Sequence, residues 1–248
     1  MLSAALRVAD GAAQVVSLVA QAGLGKSHLV DAVLDRLRGA AGFERATVRR
    51  VVSSPVGPRP YGLTAGLFVE GYGIGPADSL ESARAKVEQG MRAIGSGDAE
   101  IELVVPVVGY ILGLQSVERS SEIEPERLKR QIAMTLRTVL ERRLAKGPLV
   151  LVLEDLQWTD AASIEALPTL ADWLCERPLL VMLTGRPPFD PTTLECGRVT
   201  HSVLRLEPLA DSAIESLLAA FFGAVSPFEP ALLERIVRQA GGNPLYLE

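Results

Sequence analysis

The fold turns on Val15-Val-Ser-Leu-Val19, followed at once by Ala20-Gln-Ala-Gly-Leu-Gly-Lys-Ser27. The apolar run is too short for a usual helix and reads as a buried strand. The glycine-rich turn then leads into a helix with apolar residues at Val30, Val33, Leu34 and Leu37. Gly23 and Gly25 let the backbone turn so tightly that successive N–H groups face one point, and the following helix aims its partial positive end there. Such a nest suits a polyphosphate. Lys26 reaches terminal phosphates as a point charge, and the Ser27 hydroxyl is placed to complete the coordination of Mg2+. Gly23, Leu24, Gly25, Lys26, Ser27 and His28 are therefore the candidate nucleotide-binding segment, although His28, on the exposed first turns, reads more readily as a solvated ring. Ala20 stands where such loops usually begin with Gly, so the loop's entry must avoid positive φ.

A second run, Pro148-Leu-Val-Leu-Val-Leu153, ends in Glu154-Asp155. It reads as a buried parallel strand with two carboxylates at its C-terminal edge, the side on which open α/β sheets bind ligands. One carboxylate can hold the Mg2+ shell and the other can orient or deprotonate the attacking water. By position the metal role goes to Glu154, with Ser27, and the water role to Asp155; the swap stays open. A third run, Leu179-Leu-Val-Met-Leu183, ends in Thr184-Gly-Arg186 and brings a hydroxyl and a guanidinium to the same edge. The fixed fork of Arg186 suits the oxygens of a γ-phosphate.

Strands alternate with long helices along the chain, which implies a parallel sheet covered on both faces. The order is strand, helix, strand, a helical insertion, strand, helix, strand, a last strand near 201–206 and a helical tail. Pro125 opens the longest helix, with Leu128, Ile132, Leu136, Leu140 and Leu144 at intervals of four. Asp78 or Ser79 caps a helix to Met91, Asp160 caps one to about Cys175, and Gly241-Gly242 stops the last. The expected fold is a three-layer α/β P-loop NTPase core over 1–207, with a helical insertion, and the beginning of a helical lid over 208–248. Trp158 is expected to pack at the crevice rim. The pairs Arg49-Arg50 and Arg142-Arg143 read as solvated faces, and no residue from 60 to 114 is expected to carry chemistry.

The segments 20–27, 151–160 and 183–187, with Gly241-Gly-Asn-Pro-Leu-Tyr-Leu-Glu248, resemble the ATPase module of signal-transduction ATPases related to the AAA+ superfamily. The likeness is closest to modules beside class III adenylate and guanylate cyclase domains in bacterial multidomain proteins, and in large regulators with a LuxR-type helix-turn-helix. The resemblance implies ATP or ADP with Mg2+, nucleotide sensing by Arg186, and a Gly-x-Pro element ending at Pro244 that opens the lid and lies against the base. It also implies an attached effector or sensor domain and nucleotide-dependent self-association. Three departures stand out: Gln157 replaces a frequent His, the Gly-Arg-x-x-Glu segment upstream of the first helix is missing, and the chain stops where the lid would begin. Both ends are expected to be cut from a longer protein.

With 48% hydrophobic and 22% charged residues, the 248-residue chain can bury one large core, which excludes a disordered reading. A net charge of -5 gives no basic footprint, so this piece is not expected to bind nucleic acid directly. Two cysteines and two histidines form no metal-ligand spacing; free thiols fit a reducing cytoplasm. The N-terminus does not read as a signal peptide, and the run 101–114 is too short for a membrane span. The functional expectation is a slow, regulatory ATPase whose nucleotide state passes to an effector. The alternative is a non-hydrolysing ADP/ATP-gated switch. A P-loop kinase is a weaker third, because the insertion from Ile101 to Arg143 holds no concentrated basic cluster.

Overall fold

Three runs of consecutive apolar residues become the three central strands in a computed structural model, which describes residues 1–56, 59–114, 125–194, 196–222 and 229–247. β1 (Gln14–Val19), β3 (Leu149–Glu154) and β4 (Leu179–Gly185) are buried at every position, as strands covered on both faces must be. β2 (Thr47–Val52) and β5 (Thr200–Arg205) are partly exposed and form the edges. All pairings are parallel in the order β2-β3-β4-β1-β5. β1 is thus flanked by β4 and β5, and the C-terminal ends of β1, β3 and β4 share one edge.

The helices are α1 (Leu2–Ala9), α2 (Lys26–Leu37), α3 (Gly62–Tyr72), α4 (Leu80–Ala93), α5 (Asp98–Ile111), α6 (Pro125–Leu144), α7 (Ala161–Trp173), α8 (Asp211–Phe222) and α9 (Pro230–Ala240). The period of two in the strands sorts them into layers. Leu149, Leu151 and Leu153 share a core with α3 to α7, whereas Val150 and Val152 face α1 and α2. The α6 stripe lies on the first of these faces, with Ile132, Leu136, Leu140 and Leu144 buried. α1 was not anticipated; among its residues of described burial it buries Ala4, Ala5 and Val8, a stripe too small to stand out against an alanine-rich background.

Capping follows local chemistry. Ser79 Oγ accepts from Ser82 N at 3.1 Å, while Asp78 binds the preceding turn and Lys86 Nζ at 2.6 Å. Asp160 accepts from Ser163 N at 2.9 Å and also from the amides of Tyr61 and Gly62, tying α7 to α3. α9 ends at Gly241 (φ 54°), followed by Gly242 (φ 77°). α8 and α9 bury Ile214, Leu218, Val237 and Ala240 in an apolar cluster of their own. Among the described residues no helix is long and apolar enough to cross a membrane.

Candidate nucleotide-binding site

β1 delivers the glycine loop to the sheet edge, where Ala20 N donates to Gly185 O at 3.2 Å. Ala20 keeps a negative φ, as a residue with a Cβ prefers, and the left-handed turns fall on Gly23 and Gly25 (φ 80° each). Lys26 is 8% exposed and its ammonium donates to Ala20 O at 3.0 Å and Gln21 O at 2.9 Å. Burial, and then the Arg186 charge, lower its pKa from the ordinary 10.5, against the opposite pull of Asp155 and Glu154. His28 is exposed and does not join this group.

Glu154 ends β3 on the face of α2, and Ser27 Oγ donates to its Oε2 at 2.9 Å across 127 residues of sequence. Its other oxygen accepts from Arg50 Nε, and Arg50 also binds Asp31 of α2 at 2.7 Å. Arg50 is therefore no solvated ornament, which corrects the reading of the Arg49-Arg50 pair. Burial in the low-dielectric edge makes the 6%-exposed Glu154 side chain depend on these two donors. Arg50 was missed because its role follows from β2 pairing with β3, with Arg50 opposite Val152. A period-two reading of both strands puts it on the Glu154 face, but only once that pairing is known.

Asp155 adopts φ 56°, ψ 45°, one of two non-glycine residues in the left-handed region among those described. Such strain concentrates at functional positions. Its amide donates to Thr184 Oγ1 at 3.3 Å, its Oδ1 accepts from Gln157 Nε2 at 3.1 Å, and Arg186 Nε lies 3.9 Å from the same oxygen. Gln157 Oε1 in turn accepts from Arg186 N at 3.0 Å. Gln157 thus bridges Asp155 and Arg186, a role no local pattern could show. Trp158, expected to pack at the rim, is 46% exposed beside Ser53, Ser54 and Asp160 and does not pack inward.

Pro244 is half-buried and starts a short 3-10 turn, Pro244–Leu247. The residue that touches the loop is its neighbour: Asn243 Nδ2 donates to Ala22 O at 2.9 Å. A Cβ on Gly23 would collide with Asn243 and come within 2.7 Å of Leu245 Cβ, so that glycine serves a close approach as well as a turn. At Gly25 a Cβ would meet nothing within 4 Å, leaving the backbone open to phosphate oxygens. Ser27 and Glu154 are hard oxygen donors that fit Mg2+, which takes one or two protein oxygens and completes its shell with phosphate and water. No larger group of metal-ligating side chains exists among the described residues.

The sequence model of the AAA ATPase domain matches residues 1–182. The chain belongs to that family. As an AAA ATPase domain it is a nucleotide-binding module. A protein of Rhizobium meliloti (strain 1021) is 30% identical to it over 146 residues, 58% of this chain and 14% of that relative. The matched segment therefore covers about a seventh of that protein's length. Among solved structures it is similar to a STAND signal-transduction ATPase with a tetratricopeptide repeat sensor from Pyrococcus horikoshii, at 12% identity and TM-score 0.47, covering 98% of this chain and 28% of that one. It is also similar to the ORC1 protein of Aeropyrum pernix solved with DNA, at 12% identity and TM-score 0.47, covering 99% and 56%. A third likeness is to the E. coli HORMA:CdnC:Trip13 complex, at 13% identity and TM-score 0.47, covering 92% and 59%. At these scores the fold is read from the strand order itself.

Proposed function

We propose that the chain binds ATP with Mg2+, hydrolyses it slowly, and passes the nucleotide state through residues 208–248 to an attached effector. The observation that carries this reading is the meeting of Ser27 and Glu154 at 2.9 Å beside Lys26, with Asp155 and Arg186 on the adjoining strand ends. Lys26 would exchange its two loop carbonyls for phosphate oxygens, and Arg186 would balance charge on the γ-phosphate. Asp155 would orient the water that attacks the γ-phosphorus in line, taking its proton as the bond to the bridging oxygen breaks. Ser27 and Glu154 would hold Mg2+, which neutralises phosphate charge when bound. The contact of Asn243 with Ala22 supports the lid reading, because any shift of the loop on binding is felt by the segment after α9. The effector and a cytoplasmic setting belong to the same proposal.

One observation favours the non-hydrolysing switch as second reading: Asp155 Oδ1 is already engaged by Gln157 and faced by Arg186, so the water-orienting carboxylate is held. Calorimetric titration of the nucleotide-stripped chain with ATP and ADP in Mg2+, with phosphate release on the same samples, separates the two. Lys26→Ala is expected to weaken binding at least about tenfold, and Asp155→Asn to cut phosphate release about 100-fold with binding kept. Tight binding without phosphate release by the wild type would select the switch; no binding by folded protein would refute both.

A further inference from the structure

On the face of the sheet away from α2, between α3, α4 and α6, lies a cavity of about 480 Å3 that the nucleotide reading does not use. Its volume falls in the range of small-molecule sites, about 300–1,000 Å3. Leu67, Phe68, Leu136, Leu140, Leu149 and Leu151 supply apolar walls. Arg49, Arg143, Lys146 and the Tyr72 ring line it too, so three cations border a greasy space.

Lys146 is exposed to solvent, whereas Arg49 and Arg143 are half-buried. Arg49 has Glu70 at 3.1 Å, but Arg143 and Lys146 form no ion pair among the described residues. Burial, then the Arg49 charge, lower the Arg143 pKa, the direction expected of a cation lacking a counter-ion. The Tyr72 hydroxyl is shielded from solvent with no hydrogen-bond partner, and burial pushes its pKa up to about 12. A buried donor without a partner is unusual and costs stability. The ring is held by construction: it stacks on Phe68 at 6.1 Å, and Gly90 leaves it room, since a Cβ there would lie 2.5 Å from Tyr72 Cε1. The stretch from 60 to 114, expected to carry no chemistry, thus contributes half of a built pocket.

A neutral apolar guest would leave the cations unanswered, and a bare inorganic anion would leave the walls unfilled. We propose that this cavity binds an amphipathic anion, an apolar chain or ring ending in one oxyanion that Arg143 and Lys146 receive. The head group is a carboxylate or a phosphate monoester; both accept from a guanidinium fork. The site is separate from the glycine loop and stands whether or not the chain hydrolyses ATP.

Calorimetric titration of the full chain with octanoate, octyl phosphate and octan-1-ol tests this, with the same titrations on Lys26→Ala to exclude the nucleotide site. At least one octyl anion is expected to bind one to one, at least about tenfold more tightly than octanol, a difference of about 1.4 kcal/mol. The tighter anion identifies the head group. Arg143→Met should weaken binding at least about tenfold, with Lys146→Gln, on an exposed residue, as the variant that keeps the test valid should Arg143→Met not fold. Ala93→Trp, in the cavity wall, should block binding without touching a charge. Lack of binding by both anions, equal affinity for octanol, loss of binding in Lys26→Ala, or affinity that survives both the charge variants and Ala93→Trp overturns the proposal.

Discussion

Arg50 crosses the α2 face of the sheet to Glu154 and Asp31, whereas Arg49, one residue earlier in β2, turns to the other face, meeting Glu70 and the wall of the large cavity. The two side chains are chemically identical and adjacent, so the difference lies wholly in what each face offers. Toward α2 the arginine completes a packed polar cluster in which every buried oxygen of Glu154 has a donor. Toward α3 it borders a cavity in which cations outnumber carboxylates and a phenol lacks a partner. One face of β2 is satisfied internally, and the other borders a cavity whose cations outnumber its carboxylates.

The contrast breaks most visibly at the two glutamates. Glu154→Gln is expected to lower Mg2+-dependent phosphate release about 100-fold, in line with losing one electrostatic contact to the reacting group. Glu70→Gln should leave that rate within about twofold, because among the described residues its carboxylate forms an ion pair with Arg49 alone, away from the glycine loop. Equal losses in steady-state assays would mean that the faces are not functionally distinct.

Stability should separate the arginines next. Arg50→Met leaves the buried Glu154 with one donor and is expected to cost about 2 kcal/mol in urea unfolding. Arg49→Met breaks a pair whose members are each about a third exposed, so its cost should stay under about 1 kcal/mol. The hydroxyls give a smaller pair of opposite sign. Tyr72→Phe removes an unpartnered buried group and should stabilise by up to about 1 kcal/mol, while Thr184→Val orphans the Asp155 amide and should destabilise by about 1 kcal/mol.

The smallest effect is in the insertion's surface network. Lys86, the Gly75 amide and the Ser82 hydroxyl hold Asp78 down to about 2 from the ordinary 3.8. A depressed carboxyl contributes stability above its unfolded pKa and loses it as pH falls through the folded value. The melting temperatures of wild type and Asp78→Asn should therefore differ most at neutral pH, converge below about pH 4 and meet near pH 2. A gap that stays constant across that window would place the network's contribution elsewhere.

Much of this was legible from residues near one another in the chain. The apolar runs at 15–19, 149–153 and 179–183 gave three fully buried strands, because a strand covered on both faces leaves no polar alternation. Ser79, Asp160 and Gly241 marked their helix ends through bonds spanning only a few residues. α1 escaped notice because alanines bury a face without announcing one.

What neighbours in sequence specify, α1 apart, is therefore the kind of the main helices and strands, the glycine loop, and the acids that cap β3. Backbone turn geometry and side-chain periodicity act over a few residues, so the chain carries them openly. Strand order and register lie beyond that reach. They set Glu154 against Ser27 and Arg50, put Gln157 between Asp155 and Arg186, laid Asn243 on the loop, and gathered Arg49, Tyr72, Arg143 and Lys146 around one cavity. A one-residue shift in the β2–β3 register would exchange the faces of Arg49 and Arg50, and nothing in the local sequence would change.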